Sequence, residues 1–549
     1  MSELEMDSET ATMMEGHGGL LATEVLLNHG VEVVFTLSGG HIFPLYDGCV
    51  KRDVRLVDVR HEQTAVFAAE AYAKVTRRLG VAAVTAGPGV TNAVSALTTA
   101  HFNGSPIAVL GGRAPEARWG QGSLQELDHV PIVKPVSKEA VTIRQTVDIP
   151  AELDRLFTSA QSPHRGPVFA DVPFDTFFGS TRAVIPPAGA PGAAADLDEA
   201  EVSGIAGLIG AAERPVLMVG SDVYWEGAEE ALCGLAESAG LPVLMNGMGR
   251  GVVGVDHELA FSRARGLALK ETDLVVVTGV PLDFRLGFGR FAKARVVHIM
   301  DRPERVATNA PLAASASGRI ASILRALAGR IARRAPQPWL DKLQEREAAV
   351  RNTQEEAFGS DTNPIQPPRI YGALCERLDR DSIVIGDGGD FVSYAGKLVD
   401  VHQPGRFLEP GPYGCLGTGA GYALGAHFAS PESRLFLMLG DGAAGFSMGD
   451  LDTLVRFEVP VTIIVGNNSC WGLEKHPMKQ FFGYHVAAEL GEETRYDQVM
   501  QALGGYGELV SEARELGPAL DRAMESRGPA LVNVITDPED AYPRSSNLA

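Results

Sequence analysis

Cysteine and positive charge are both scarce in this chain. The five cysteines among 549 residues (Cys49, Cys233, Cys375, Cys415 and Cys470) are odd in number and widely spaced. That pattern speaks against a disulfide framework and against a zinc site. Lys and Arg number 48 against 69 Asp and Glu, a formal charge of −21, so no nucleic-acid partner is expected. A phosphorylated small ligand stays open, because it needs only local help from helix N-termini and a metal ion. No apolar run approaches the ~20 residues of a membrane-spanning helix, which argues against a membrane partner. The opening MSELEMDSETATMMEG is acidic and lacks the basic-then-apolar pattern of a secretion signal, so a cytoplasmic location is the expectation.

What is present is a recurring α/β pattern. Two stretches read as linkers: PPAGAPGAAADLDEAE (186–201), and the proline-bearing, charged segment 333–369. The blocks around them place domains at 1–185, 200–335 and 366–549. Each block carries short apolar runs that end in Gly, Ser, Asn or Asp. Examples are VEVVFTLSG and GVAAVTAG in the first, RPVLMVGSD and TDLVVVTGV in the second, SRLFLMLGDG and VPVTIIVGNN in the third. Continuous β-branched runs belong to strands buried on both faces. With helical segments between them, the fold class is α/β, three doubly wound parallel-sheet domains in one chain.

In open parallel sheets ligands bind beyond the strand C-termini. LFLMLGDG puts Asp441 at such an end, with a helix to follow whose first amides, at Gly442 and Ala443, could hold a phosphate. VTIIVGNN brings Asn467 and Asn468 to another strand end. A carboxylate, an amide oxygen and phosphate oxygens make a hard shell suited to Mg²⁺ and not to zinc. Alone, Gly-Asp-Gly is an ordinary turn and Asn-Asn an ordinary helix entry; their spacing after two strands points to a metal–diphosphate site.

That spacing resembles the thiamine diphosphate enzymes of the acetolactate synthase, oxalyl-CoA decarboxylase and 2-hydroxyacyl-CoA lyase group. The resemblance covers nearly the whole chain. It implies a pyrimidine-binding domain first, a central nucleotide-binding-like domain, and a diphosphate-binding domain with a C-terminal lid. It implies that Asp441, the Asn468 side chain and the Cys470 carbonyl coordinate Mg²⁺. In DVRHEQTAVFAAEAYAKVTRR, Glu62 takes the place of the family's glutamate at the cofactor's pyrimidine ring. The ordinary alternative for Glu62 is a helix-start acid favoured by the dipole. AGPGVTN (86–92), with Pro88 and Asn92, resembles the turn beside that ring. In GPYGCLGTG, Gly414 and Leu416 match positions that contact and bend the cofactor, and GDGGD (386–390) offers Gly389 and Asp390 to the diphosphate.

Within the group, SLQELDH (123–129) and the tail AYPRSSNLA resemble the CoA-dependent branch. SCWGLEKHPMKQFFGYH stands where acetolactate synthases carry a Met-Val-Arg-Gln-Trp-Gln-like stretch. These features favour a 2-hydroxyacyl-CoA lyase releasing formyl-CoA and an aldehyde or ketone, with 2-hydroxyisobutyryl-CoA the first substrate to try. Candidates for the substrate base are the cofactor itself, His41, Gln125 through a water, and the lid acids Glu489, Glu492 and Glu493, of which Glu493 is chosen. The alternatives are decarboxylation or ligation of a 2-oxo acid, including acetolactate synthesis, and a non-catalytic binding module. In the central block Arg285 and Asp301 follow strands where the family holds a nucleotide. The resemblance implies ADP there, with FAD or no nucleotide as alternatives. It also implies a homo-oligomer, a dimer of dimers, because the two halves of one site come from different subunits.

Overall fold

The structure, a computed structural model, describes residues 11–192, 198–331, 335–492 and 494–542. Three six-stranded sheets carry the fold, and every strand pairing within them is parallel. In the first, the spatial order is Arg55–Asp58, Val33–Thr36, Gly80–Val84, Ile107–Arg113, Val168–Pro173 and Glu139–Thr142. The inner strands are buried at every residue, which is why their sequences run apolar without alternating. A two-stranded antiparallel ribbon, Thr12–His17 with Ser180–Ile185, adds to this region.

The second sheet is ordered Ala260–Phe261, Val243–Met245, Pro215–Val219, Leu274–Thr278, Arg295–Met300 and Ala314–Ser317. The third is ordered Phe407–Leu408, Ile383–Asp387, Leu435–Gly440, Val461–Asn467, Ala530–Ile535 and Tyr506–Val510. All the apolar runs quoted above lie in strands. Strands as short as Ala260–Phe261 and Phe407–Leu408, or as small-sided as ASAS at 314–317, carry too little apolar signal to stand out.

The chain packs as two compact units. Among the described residues, the first takes 11–192 together with 410–432 and 447–457, and the second takes the others. The helix Gly419–Ala429 therefore belongs with the helix Glu62–Thr76 and not with the sheet that flanks it in sequence. Glycine explains the close approach. A Cβ on Gly425 would lie 2.1 Å from the Ala68 carbonyl oxygen, and one on Gly421 would lie 2.7 Å from Phe67 Cβ. Beside this contact Lys74, Glu70 and Tyr422 form a buried polar cluster, with Lys74 Nζ 3.0 Å from Glu70 and 2.8 Å from the Tyr422 hydroxyl.

Among the described residues no helix is long and apolar enough to cross a membrane. All five cysteines are free thiols. The charged 333–369 segment holds a 22-residue helix, Gln337–Phe358.

Candidate active site

In the second unit three strands end side by side. Gly440 pairs with Gly466, and Asp387 pairs with Leu439, so the loops that follow strands 383–387, 435–440 and 461–467 leave from one edge. Asp441 opens the helix Asp441–Ser447 and is 4% exposed. Its Oδ1 accepts the Gly442 amide at 2.8 Å, while its Oδ2 is buried with no hydrogen-bond donor in bonding geometry. Burial pushes the carboxyl up to about 6, against the pull of the Gly442, Ser469 and Cys470 amides. The Tyr496 hydroxyl donates to the Asp441 carbonyl at 3.1 Å, a contact the sequence reading missed.

Of the paired asparagines, Asn467 is engaged internally: its Nδ2 donates to the Thr494 carbonyl at 3.1 Å and to Asn533 Oδ1 at 3.2 Å. Asn468 is engaged locally, its Oδ1 accepting the Cys470 amide at 3.2 Å. Ser469 between them adopts φ 55°, which turns the chain sharply. Residues 469–471 then pair with 488–490: the Trp471 amide donates to the Ala488 carbonyl and the Leu490 amide to the Ser469 carbonyl, both at 2.8 Å.

The loops pack tightly on one another. A Cβ on Gly442 would lie 2.5 Å from the Trp471 ring, one on Gly389 would lie 2.7 Å from Leu473 Cδ1, and one on Gly472 would lie 3.0 Å from Asp390 Oδ2. Gly389, Asp390, Asp441, Gly442, Ala443, Asn468 and Cys470 are thus brought together at one sheet edge. An orphaned buried carboxylate oxygen beside an amide oxygen is a donor set that fits a hard divalent cation. The residues present are compatible with Mg²⁺.

The lid acids divide. Glu489 is paired with His485 at 2.5 Å and lies 3.5 Å from Lys475. Glu492 sits in an exposed turn. Glu493 and the tail 543–549 lie outside the described residues. The next helix, Tyr496–Leu503, has Arg495 as its N-cap.

In the first unit Glu62 is the first residue of its helix and is 7% exposed. Asn92 Nδ2 donates to Glu62 Oε2 at 3.0 Å, so two predicted residues meet. Asp450, which the sequence reading passed over, secures this helix start. Its carboxylate accepts the Arg60 amide at 2.8 Å and the Thr64 hydroxyl at 2.6 Å. Pro88 opens the helix Pro88–Asn103. Gly414, at φ 68°, and the half-buried Leu416 lie on the loop leading into the 419–429 helix.

A cavity of about 560 Å³ in this unit is lined by His41, Gln125, Thr85, Leu124, Arg118 and Phe174, among others. His41 Nδ1 lies 3.1 Å from the Thr85 hydroxyl, and the ring also bonds the Leu124 backbone. Burial lowers its pKa, with nearby His129 adding to the effect. Gln125, at φ 58°, projects from the loop against Gly87.

In the central sheet Arg285 is held by Asp283 through contacts of 2.6–3.1 Å, and Asp301 is buried just past strand 295–300. Arg265 was missed. It is half-buried, and desolvation together with like charge from Arg250 and Arg285 lowers it to about 10. Such a cationic group at strand ends suits an anionic ligand.

Comparison with known proteins agrees with this layout. The N-terminal thiamine pyrophosphate-binding domain model of the thiamine pyrophosphate enzymes matches residues 17–132. The central domain model of those enzymes matches 202–327, and the C-terminal thiamine pyrophosphate-binding domain model matches 387–534. Two relatives, a "probable acetolactate synthase" of Mycobacterium bovis and the "acetolactate synthase large subunit IlvG" of Mycobacterium tuberculosis, are each 49% identical over 99% of this chain and 100% of their own length. The "2-hydroxyacyl-CoA lyase 2" of Homo sapiens is 34% identical over 91% of this chain and 86% of its own length.

Proposed function

The chain belongs to the thiamine pyrophosphate enzymes, and from that premise we propose that it decarboxylates a 2-oxo acid and joins the remaining fragment to a second carbonyl compound, as in acetolactate synthesis. The observation that carries this reading is the 49% identity, end to end, with two proteins named as acetolactate synthases. That likeness outweighs the 34% identity with a lyase, and it favours the 2-oxo acid over the acyl-CoA ester that the sequence motifs put first.

Bound thiamine diphosphate supplies an acidic carbon that becomes the nucleophile and a ring that serves as electron sink. Glu62 would hold its pyrimidine ring: with Oε2 fixed by Asn92, Oε1 is left to share a proton with a ring nitrogen. Asp441, the Asn468 amide oxygen and the Cys470 carbonyl would hold Mg²⁺. The Gly442 and Ala443 amides, with the Gly389–Asp390 loop, would hold the diphosphate, and Gly414 and Leu416 the ring system between. In the cavity of the first unit, Arg118 suits a substrate carboxylate by charge and planar geometry. Gln125 and His41 line the same space and orient the reacting group. Arg285 and Asp301, with Arg265, would bind a nucleotide such as ADP or FAD in the central domain. Glu493 is kept as the lid residue assisting proton transfer, and the working assembly as a dimer or larger.

A second reading, the 2-hydroxyacyl-CoA lyase, keeps one observation in its favour. The segment 469–485 lacks the Met-Val-Arg-Gln-Trp-Gln-like stretch of the synthases. One experiment separates the two. Purified protein with thiamine diphosphate and Mg²⁺ is given pyruvate in one vessel and 2-hydroxyisobutyryl-CoA in another. CO₂ and acetolactate from the first are expected; formyl-CoA and acetone from the second, with pyruvate untouched, would establish the lyase instead.

A further inference from the structure

The loop carrying Gln125 is tied to the start of the Pro88–Asn103 helix by a buried polar chain to which neither the motifs nor the cofactor site assigns a role. The Gly87 amide donates to His129 Nε2 at 2.9 Å. His129 Nδ1 meets Asp171 Oδ2 at 3.0 Å, and Arg113 Nη1 donates to that same oxygen at 3.0 Å. His129 and Asp171 are fully buried, and Arg113 is 2% exposed. An amide N–H can only donate, so Nε2 is the acceptor and the ring proton lies on Nδ1, given to Asp171.

The group held by this chain is under conformational demand. Gly87 sits at φ 61°, ψ −113°, a region side chains exclude, and a Cβ there would lie 2.9 Å from Gln125 Cβ. Gln125 is itself at φ 58°. Two residues in sparsely populated backbone regions are pressed together, and such arrangements persist only where surrounding contacts over-determine them. One turn along the same helix, Asn92 holds Glu62.

We propose that His129, kept in a single tautomer by Asp171, is a positioning residue that locks the Gly87 turn and so sets both Gln125 in the cavity and the Asn92–Glu62 pair. The functional half of this inference rests on Glu62 serving the thiamine ring; the tautomer does not.

The test uses the full-length protein and two substitutions. His129→Leu leaves the Gly87 amide buried without an acceptor, whereas His129→Gln offers a side-chain oxygen of similar reach and has no tautomer to choose. Thiamine diphosphate binding is followed by fluorescence titration, kcat/KM by turnover, and fold by circular dichroism. His129→Leu should weaken both binding and kcat/KM by about ten- to a hundredfold, the scale of a small misplacement near reacting groups. His129→Gln should restore both close to wild type. Solid-state ¹⁵N NMR of histidine-labelled wild type, assigned by loss of the signal in His129→Gln, should show Nδ1 protonated and Nε2 bare. A protonated Nε2, a His129→Leu protein that binds and turns over normally, or a His129→Gln protein as impaired as His129→Leu would each overturn the proposal. If His129→Leu does not fold, the His129→Gln kinetics and the nitrogen spectrum still decide. If wild type binds no thiamine diphosphate, the reading of Glu62 fails, and the spectrum alone judges the relay.

Discussion

Asp441 has a pH signature that follows directly from its burial. Its folded-state value of about 6 lies above the ordinary 3.8, so between those two the folded chain keeps a proton that the unfolded chain has lost. Stability of the metal-free protein should therefore fall as pH rises from about 4 to about 6. Mg²⁺ requires the bare carboxylate, so its affinity should fall in the opposite direction, by about tenfold per pH unit below about 6. Melting temperatures without metal and Mg²⁺ titrations at matched pH values check both signs, and Asp441→Asn should flatten both dependences. For Glu62 the expected outcome concerns chemistry and not fold. Glu62→Gln keeps the Asn92 contact possible but removes the acid proton, so turnover should drop by about 10²-fold or more with thermal stability little changed. Near-normal turnover would remove Glu62 from the reaction.

Two elements owe their placement to features smaller than themselves. The helices Glu62–Thr76 and Gly419–Ala429 approach closely because Gly421 and Gly425 present no side chain. Gly425→Val would drive two methyl groups toward the Ala68 carbonyl, and overpacking of this kind costs on the order of 1–3 kcal/mol. Urea unfolding measures it; an unchanged midpoint would mean the helices separate at no cost. The lid begins with the backbone pairing of 469–471 to 488–490, which holds its base at the metal-binding loop. If Glu493 assists proton transfer, Glu493→Gln should slow turnover by about 10²–10⁴-fold while leaving cofactor affinity alone. A change below about twofold, matched by Glu489→Ala and Glu492→Ala, would make the acids a solvated cover.

At the scale of the whole molecule, the residues proposed to bind the cofactor fall into two packed units. Glu62, Pro88, Asn92, Gly414 and Leu416 belong to the first, and Asp441, Asn468 and Cys470 to the second. If, as the family resemblance implies, the two sets meet across different subunits, at least a dimer is required. Sedimentation of the active protein should show a dimer or tetramer, and dilution to monomer should abolish turnover; an active monomer would contradict that proposal.

The sequence by itself determined the three-sheet α/β class and which Gly, Asp and Asn residues lie just past its strands. Strands buried on both faces must be continuously apolar, and diphosphate and Mg²⁺ chemistry demands Gly, Asp and Asn at short, regular distances after such strands. Asp441, Asn468 and Gly442 are legible for that reason, and Glu62 and Asn92 through the family resemblance, though not that those two meet. Only the tertiary structure revealed Asp450 beneath the Glu62 helix, the separate duties of Asn467 and Asn468, Arg265 in the central sheet, and the Asp171–His129–Gly87 chain. Each depends on partners tens to hundreds of residues apart or on which way a side chain turns, and no local spacing encodes either. His41 shows the difference most plainly: its loop position placed it in the cavity, but only the fold showed its Nδ1 held by the Thr85 hydroxyl.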